Sequence, residues 1–390
     1  MTSGLVLVSR KGEDRILRGH PWVFRSDVVK TKDAAPGDLV RVATERQKPL
    51  GFALYSSRSE IRLRMIARGE ELATEWLRQR LLEAIAWRDR IAPGAEACRL
   101  VHGEGDLLPS LIVDRYGEHL AIQTLSQGME RLKDEVVAIL VERLQPHGIL
   151  ERNDPKVRGL EGLEAKVSLL HGDVPERVPV REGDLTLEAD LWRGQKTGLF
   201  LDQRENHLMA RAYARGRVLD AFTYGGGFAL QVASLAESVL AVDLSAEALE
   251  LVRRNAARNG LANVETRDAN VFDVLHELDA RGERFDTVIL DPPAFAKSKD
   301  AVEKARRGNK EINLRALKLL RHGGCLITCS CSYHVHEPEF EQLLSAAARD
   351  ARVAVSVVEK RRQARDHPVL LGVPETYYLK CFVLRGLGSA

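Results

Sequence analysis

From about residue 196 onward, short apolar runs of the 390-residue chain alternate with amphipathic stretches. Four of the apolar runs have the character of strands: GRVLDAF, SVLAVDLS, VETRDA and FDTVILDPP. The segments that separate them are typical of helices, for example AEALELVRRNAARNG. This alternation builds a doubly wound α/β sheet whose core is mostly parallel. CLITCS, VAVSVVEK and YYLKCFVLR complete seven strands, and no helix separates the last two. The pattern predicts a seven-stranded sheet that ends in an antiparallel hairpin.

Two segments of different character precede this alternating region. Residues 1–70 contain short strand-like runs, LVLVSR, DLVRVATE, LGFALYS and IRLRMIA, separated by Gly, Pro, Ser and Asp, which predict a small β-rich domain. Residues 73–190 mix strand-like runs with helices predicted over 75–91 and 129–144, which indicates an α+β middle domain. The α/β domain is expected over residues 191–390.

The charge of the chain is unevenly distributed. Residues 1–68 hold fourteen Lys and Arg against seven Asp and Glu, so the rest of the chain must be acidic to give the overall net charge of +2. A basic module on a near-neutral body favours a polyanionic partner, most simply a nucleic acid, although an Arg-rich solvated surface has the same composition.

Composition excludes several classes of protein. With 44% hydrophobic and 29% charged residues the chain is typical of a soluble globular protein. Its apolar runs fall short of the ~20 residues of a membrane helix, and its start is unlike a secretory signal. We therefore expect a cytoplasmic protein with no membrane partner, in which five cysteines do not indicate disulfides.

Polar residues follow the predicted strands where a doubly wound sheet binds its ligands. Gly225 and Gly227 come after the first strand, and Asp243 ends the second, where a carboxylate can hold ribose hydroxyls. Asp268 and Asn270 follow the third strand, at the expected edge of an adenine site. G-x-G-x-x-G spacing is absent, which disfavours a dinucleotide, and ordinary turn chemistry remains an alternative.

The fourth strand runs into ILDPPAF. An acid followed by two prolines and an aromatic residue makes a stiff turn that presents Asp291 and a ring over the cofactor pocket. S-adenosylmethionine-dependent enzymes that hold a planar base use such an arrangement. The turn therefore favours methyl transfer.

Five short stretches resemble the ordered motifs of class I methyltransferases: DAFTYGGGFAL, AVDLS, RDA, DPPAF and SCS. Together with GHPWVF and GQKTGLFLDQRENH, they make the whole chain similar to the bacterial and archaeal ribosomal-RNA 5-methylcytosine methyltransferases that carry an N-terminal PUA domain. The chain departs from the common pattern at Thr223 and Tyr224, which precede the glycines in place of Gly-x-Gly. The resemblance implies S-adenosyl-L-methionine as cofactor, RNA, in particular large-subunit ribosomal RNA, as partner, and allows a homodimer.

The resemblance also implies which residues bind the cofactor. They lie in KTGLFLDQR, which a domain-junction loop would equally explain, and at the ends of the strands. The candidates are Lys196, Thr197, Phe200, Asp202, Arg204, Phe222, Tyr224, Gly225, Gly227, Asp243, Asp268, Asn270 and Asp291.

Candidate RNA contacts fall in the basic segment RGHPWVFR, where Arg18, His20 and Arg25 can meet phosphates. Trp22 and Phe24 alternate with other residues and are expected in the core. A second group follows the DPP turn.

This second group consists of Pro293, Phe295 and Lys297, next to the basic run KSKDAVEKARRGNK. Its position suits contact with the substrate strand, and a solvated helix face is the alternative.

CLITCSCSYHVH concentrates cysteine and histidine, which raises the question of a metal site. Zinc ligation by Cys329, Cys331, His334 and His336 is disfavoured, because structural sites usually use two separated ligand pairs. No metal is expected. The histidines are assigned to a loop and the start of a helix.

The three cysteines of this segment are predicted to differ in role. Cys325 and Cys329 lie within the fifth strand and are expected in the core. Cys331 falls where the strand ends, and the resemblance implies that it is a nucleophile that adds to C6 of cytosine, with Asp291 stabilising the adduct.

Two rival functions remain open from the sequence. A guanine-N7 or amino-group methyltransferase can carry the same turn but needs no thiol. A catalytically silent RNA-binding assembly factor needs neither the turn nor the thiol. The presence of Asp243, Asp291 and Cys331 argues against this function.

Overall fold

The computed structural model describes residues 4–294, 302–332 and 335–389. Contacts divide the chain into two compact units rather than the three predicted segments, whose boundaries stay a prediction. The first unit comprises Met1–Val180, Ala189–Leu199 and Arg365–Thr376, and the second comprises Arg181–Glu188, Phe200–Ala364 and Tyr377–Ala390.

The first sheet of unit 1 is built from the β-rich segment, and its order is β2-β6-β5-β4-β1-β3. Alternate residues such as Val6, Val40 and Leu63 form its core. A helix that the sequence pattern did not predict follows β1, and Ser9 Oγ caps it by accepting from the Gly12 amide. The elements are β1 (Leu5–Val8), α1 (Arg10–Leu17), β2 (Trp22–Phe24), β3 (Val28–Lys32), β4 (Leu39–Thr44), β5 (Pro49–Tyr55) and β6 (Ile61–Arg68).

The second sheet of unit 1 has the order β11-β10-β9-β8-β7. The helix predicted over 129–144 is broken at Leu132, whose amide donates to the Met129 carbonyl in a tighter turn. The elements are α2 (Trp76–Ile91), β7 (Ala97–His102), β8 (Leu111–Tyr116), β9 (His119–Thr124), α3 (Gln127–Arg131), α4 (Lys133–Leu144), β10 (Gly148–Asn153), α5 (Val157–Glu161) and β11 (Lys166–Gly172).

Seven strands form the sheet of unit 2, in the order β16-β15-β14-β17-β18-β20-β19. The first five are parallel, and β20 is antiparallel to both of its neighbours. This confirms the predicted doubly wound sheet with its antiparallel hairpin. A two-stranded ribbon precedes it. The elements are β12 (Val178–Glu182), β13 (Leu185–Ala189), α6 (Arg204–Ala210), β14 (Arg217–Ala221), α7 (Gly227–Ala233), β15 (Ser238–Asp243), α8 (Ala246–Arg258), β16 (Val264–Asp268), α9 (Val271–Ala280), β17 (Phe285–Leu290), α10 (Val302–Leu319), β18 (Leu320–Ser330), α11 (Glu337–Ala351), β19 (Val353–Arg362) and β20 (Lys380–Ser389).

Both faces of this sheet are apolar, which is why its strands read as continuous hydrophobic runs. Leu219 and Val288 pack into the core on one face, and Val218 and Ile289 into the core on the other. The carboxyl ends of the parallel strands therefore meet at one edge, where polar residues can gather. Throughout the described residues, each helix is too short or too polar to cross a bilayer.

Candidate active site

The turn after β14 has an unusual backbone. Phe222, Tyr224 and Gly226 are left-handed, with φ of 67°, 47° and 84°. The amides of Phe222 and Thr223 both donate to the Val242 carbonyl, at 2.9 and 3.1 Å, and so fasten the turn to β15. Non-glycine residues in this region cost about 1–3 kcal/mol each and cluster at functional sites.

Asp243 at the end of β15 is oriented by this turn. Its Oδ2 accepts from the Tyr224 amide at 2.9 Å, and its Oδ1 accepts from the Ser245 amide at 3.0 Å. The Tyr224 ring meets the Phe200 ring edge-on, with centroids 4.9 Å apart. The structure thus brings three of the predicted cofactor residues together: Phe200, Tyr224 and Asp243.

Gly227 has a packing role that the sequence did not reveal. A Cβ at this position would lie 2.4 Å from the His207 ring, whereas a Cβ at Gly225 would meet only the end of the Leu251 side chain, at 3.0 Å. His207 Nδ1 lies 2.8 Å from Glu182 Oε1. Burial alone would lower the pKa of His207, but the Glu182 carboxylate raises it above its usual value.

Asp220, which sequence reasoning missed, is the buried acid of this turn. Its Oδ2 accepts from Thr223 Oγ1 at 2.6 Å and from the Ala229 amide at 2.9 Å. Its Oδ1 has no partner among the described residues, and burial raises the pKa of Asp220 to about 6. An orphaned carboxylate oxygen at the carboxyl end of β14 fits a ligand with an amino group, as S-adenosylmethionine has. The signal was an acid inside the apolar strand RVLDA.

The end of β16 carries the next two candidates. Asp268 and Asn270 are both exposed. Asn270 Oδ1 caps α9 by accepting from the Phe272 amide at 2.9 Å. The Phe272 ring lies edge-on to Phe222, with centroids 6.5 Å apart, which provides an apolar flank suited to a purine.

Lys196 and Thr197 belong to unit 1. Lys196 is exposed, with a left-handed φ of 54°. Thr197 is buried, and its hydroxyl donates to Asp114 Oδ2 at 2.6 Å and lies 2.9 Å from the Tyr116 hydroxyl. The Thr197 side chain therefore holds its own segment in place, and its contact with a cofactor stays a prediction.

Asp202 and Arg204 belong to unit 2. Asp202 is buried and accepts a 2.7 Å hydrogen bond from the Tyr378 hydroxyl, and its carbonyl accepts from the Ala364 amide at 2.8 Å. Arg204 is half-buried and opens α6. These contacts fix the segment after Phe200 against the sheet.

Asp291 and Cys331 follow two neighbouring parallel strands, β17 and β18, that are in continuous register from Thr287 to Leu290. Cys331 is half-buried, and its thiol donates to the Pro292 carbonyl across 3.6 Å. The structure therefore places the cysteine directly against the turn that carries Asp291. Pro293 is exposed on the same turn.

Phe295 and Lys297, the other two predicted substrate contacts of this turn, lie outside the described residues, as does His334. His336 begins α11, and its amide donates to Glu339 Oε2 at 3.1 Å. Within the described residues, no group of three His, Cys, Asp or Glu side chains could hold a metal ion.

The cysteines of β18 differ from Cys331 in environment. Cys329 is fully buried, and burial together with the neighbouring Cys381 thiol raises its pKa. Burial also raises the pKa of Cys325. Both thiols are therefore held in the neutral form, whereas Cys331 is only half-buried, and its catalytic role stays a prediction.

Lys380 is a second residue that sequence reasoning missed. It is 1% exposed, and its Nζ donates to the carbonyls of Ser332 and Tyr378, at 2.8 and 2.9 Å. Burial lowers its pKa to about 8. A lysine within the apolar run YYLKCFVLR was the available signal, since buried lysines are rare.

The RNA candidates of unit 1 are placed differently from one another. Arg18 and Arg25 are exposed, and among the described residues Arg25 forms a 3.9 Å ion pair with Glu60. His20 Nε2 lies 3.6 Å from Glu375, and burial lowers the His20 pKa. The two arginines are therefore available to phosphates, whereas His20 is tied into the protein.

The expectation that Trp22 and Phe24 lie in the core is wrong. Val23 is the buried residue of β2, because alternate residues of a strand face opposite sides. Trp22 Nε1 donates to Glu104 at 2.9 Å, and the Arg15 guanidinium lies 4.6 Å from the centre of the Phe24 ring.

Two protein families match the chain. Residues 6–68 match a PUA-like domain, and residues 161–384 match an S-adenosylmethionine-dependent methyltransferase. Among solved structures, a methyltransferase complexed with SAH superposes with a TM-score of 0.84 at 20% identity, covering 99% of this chain and 100% of that one. A SAM-dependent methyltransferase from Streptococcus mutans gives 0.83 at 20% identity, with the same coverage. At this identity the superpositions show the fold.

Relatives of known name match over nearly the whole length. Ribosomal RNA large subunit methyltransferase I of Tolumonas auensis is 39% identical, over 99% of this chain and 100% of its own. The protein of the same name from Shigella boydii is 37% identical, over 97% of this chain and 98% of its own. The one from Yersinia pseudotuberculosis is 38% identical, over 99% of this chain and 100% of its own. These matches confirm the family resemblance and S-adenosylmethionine as cofactor. The chain therefore belongs to the family of the ribosomal RNA large subunit methyltransferase I proteins, S-adenosylmethionine-dependent methyltransferases with an N-terminal PUA-like domain.

Proposed function

We propose that the protein forms 5-methylcytosine in RNA, specifically in large-subunit ribosomal RNA, through a covalent adduct on Cys331. The observation that carries this proposal is the position of the thiol, 3.6 Å from the Pro292 carbonyl in the turn that bears Asp291. A methyltransferase acting on an amino group or on guanine N7 has no use for a thiol there. A cytosine-C5 enzyme requires one.

The need for a thiol follows from the chemistry of the target. C5 of cytosine is a poor nucleophile, and the cofactor supplies only an electrophilic methyl group. The Cys331 thiolate adds to C6, forming an S–C6 bond and making C5 an enamine carbon that can take the methyl group. Removal of the C5 proton then allows the S–C6 bond to break and the C5–C6 double bond to return.

Asp291 is proposed to hold the pyrimidine edge during this addition. Negative charge develops on N3 when the thiolate adds to C6, and a carboxyl group that gives or shares a proton with N3 stabilises the adduct. The Gln203 carboxamide donates to Asp291 Oδ1 at 2.8 Å, which fixes the rotation of the carboxyl group. We infer that the base approaches the other oxygen, Oδ2.

RNA as partner is supported by the PUA-like domain, by the exposed Arg18 and Arg25, and by the names of the relatives. An enzyme acting on bacterial ribosomal RNA would work in the cytoplasm, as we propose here. The homodimer stays a prediction.

The test is methylation of unmodified large-subunit ribosomal RNA with labelled S-adenosylmethionine, followed by digestion and nucleoside mass spectrometry. The expected product is 5-methylcytidine, and C331A should reduce its formation by at least about a thousandfold. RNA containing 5-fluorocytidine should trap wild-type protein covalently, because a C5 fluorine cannot leave as a proton does. C331A should give no trapped complex.

Cys325→Ala is the matched control, because Cys325 lies in β18, the strand that Cys331 follows, and has a neutral thiol; this variant should retain activity and trapping. Undiminished methyl transfer by C331A, without a trapped complex, would show that the target is a nitrogen. Failure of the purified protein to bind S-adenosylmethionine would revive a catalytically silent assembly factor.

A further inference from the structure

A chain of hydrogen bonds runs from a guanidinium on β19 to Asp291. Arg361 Nε donates to Asn206 Oδ1 at 2.9 Å, Asn206 Nδ2 donates to Gln203 Oε1 at 2.7 Å, and Gln203 Nε2 donates to Asp291 Oδ1 at 2.8 Å. Asn206 is fully buried and Gln203 is 2% exposed. Water therefore cannot substitute easily for Asn206 or Gln203.

The direction of this chain is fixed by its first member. A guanidinium only donates and does not lose its proton in proteins, so Asn206 must turn its oxygen towards Arg361. The Asn206 amide group must then face Gln203 with its nitrogen, and Gln203 must do the same towards Asp291. Both amide orientations follow from Arg361, and Asp291 Oδ1 can only accept.

We propose that Arg361, Asn206 and Gln203 form a relay that positions Asp291 and keeps its Oδ1 an acceptor, so that any proton exchanged in the reaction resides on Oδ2. This inference rests on the proposed function in assigning Asp291 to the target base. The three residues are positioning residues, since each acts through Asp291. The relay therefore gives the two oxygens of Asp291 different roles: Oδ1 accepts from Gln203, and Oδ2 carries the proton.

Other titratable groups act on Asp291 as well. His207, whose pKa is raised by the Glu182 carboxylate, interacts electrostatically with Asp291. Cys329 also interacts with Asp291, and burial keeps its thiol neutral. Arg361 also pairs with Glu359, 2.7 Å from its Nη1. The relay acts on one oxygen of Asp291, because its last hydrogen bond is donated to Oδ1.

Asn206→Asp tests the direction of the relay. The new carboxylate still accepts from Arg361, but it cannot donate to Gln203, so the Gln203 amide must reverse and present its oxygen to Asp291. Asp291 Oδ1 then needs a proton, and the limb of the pH–rate profile that reports Asp291 should move up by about one unit or more. The readout is label transferred from S-adenosylmethionine to RNA, which does not presuppose the methylated atom.

Arg361→Lys is the matched control. Its ammonium, like the guanidinium, only donates, so Asn206 keeps its oxygen towards residue 361, the direction persists and the shift should be less than half as large. Gln203→Glu is a second test if N206D does not fold, because two adjoining carboxyl groups must share a proton and the profile should again move up.

Two results would overturn the relay: an N206D profile that coincides with the wild-type profile, or an R361K shift as large as that of N206D. The outcome is separable from the proposed function. A product other than 5-methylcytidine would refute the cytosine assignment, while the displacement of the profile would still report whether the relay sets the protonation of Asp291.

Discussion

Lys380 Nζ donates a 2.8 Å hydrogen bond to the carbonyl of Ser332, the residue directly after Cys331. The lysine is buried, and it interacts electrostatically with Cys331. A fixed cation at this position holds the backbone that follows the thiol and stabilises the thiolate over the thiol. Glu337 and Glu339 also act on Lys380 and favour its charged form.

Lys380→Met should therefore make Cys331 less reactive. We expect alkylation of Cys331 by iodoacetamide at pH 7.5 to slow at least about threefold, and its dependence on pH to move upward, because the neighbouring charge is lost. Peptide mass spectrometry measures the rate at this one cysteine. Lys360→Met, which removes an exposed lysine paired with Glu341, is the control and should leave the rate unchanged. Equal rates in both variants would refute the electrostatic role.

Asp220→Asn should stabilise the cofactor-free protein but weaken its binding of S-adenosylmethionine. The folded-state pKa of Asp220 is raised to about 6, from 3.8, so its contribution to stability falls as the pH rises from about 4 through 6. Removing the charge should raise the free energy of unfolding at pH 7.5 by about 1–2 kcal/mol, and by less at pH 4. Urea unfolding at both pH values measures this gain. Calorimetry should show at least about tenfold weaker cofactor binding, and unchanged affinity would remove Asp220 from the site.

Gly227→Ala should destabilise unit 2 because its Cβ would lie 2.4 Å from the His207 ring, which Glu182 holds in place. The expected loss is about 1–3 kcal/mol, as for other overpacked sites. Gly225→Ala should cost clearly less, since the end of the Leu251 side chain can move aside. Thermal unfolding of both variants decides the matter, and equal losses would show that His207 gives way.

Arg88→Met should destabilise unit 1. Arg88 is fully buried and donates to both carboxylate oxygens of Asp106 and to the carbonyls of Arg99 and Asp366. Its removal leaves the buried Asp106 carboxylate without its cation, although the His102 amide still donates to Oδ2 at 2.6 Å, and should cost about 3–5 kcal/mol. Arg78→Met breaks an exposed pair with Glu142 and should cost far less in the same urea titration. A small loss for R88M would mean that water fills the gap.

The seven-stranded sheet was predictable because its strands are apolar on both faces and helices separate most of them. The positions of Asp243, Asp291 and Cys331 followed from the ends of those strands. α1 was missed because it is short and buries only Gly12 and Ile16, which gives little periodic signal. Local pattern therefore carried the fold and the strand-end residues of the site.

The remaining site residues depend on contacts that no local pattern encodes. Gln203 meets Asp291 across 88 residues of chain, and Asn206 meets Arg361 across 155. Each polar side chain looks unremarkable in its own segment. Its role depends on which strands the tertiary fold makes neighbours.

The sheet order has a consequence for synthesis. β20 is the last strand in the chain, yet it lies between β18 and β19. A ribosome therefore releases Cys331 before Lys380, and a nascent chain displays the thiol next to an open strand edge. Insertion of β20 closes that edge and, through its first residue, brings the cation to the cysteine. On the proposed mechanism, the strand that completes the sheet is also the strand that places a cation beside the proposed nucleophile.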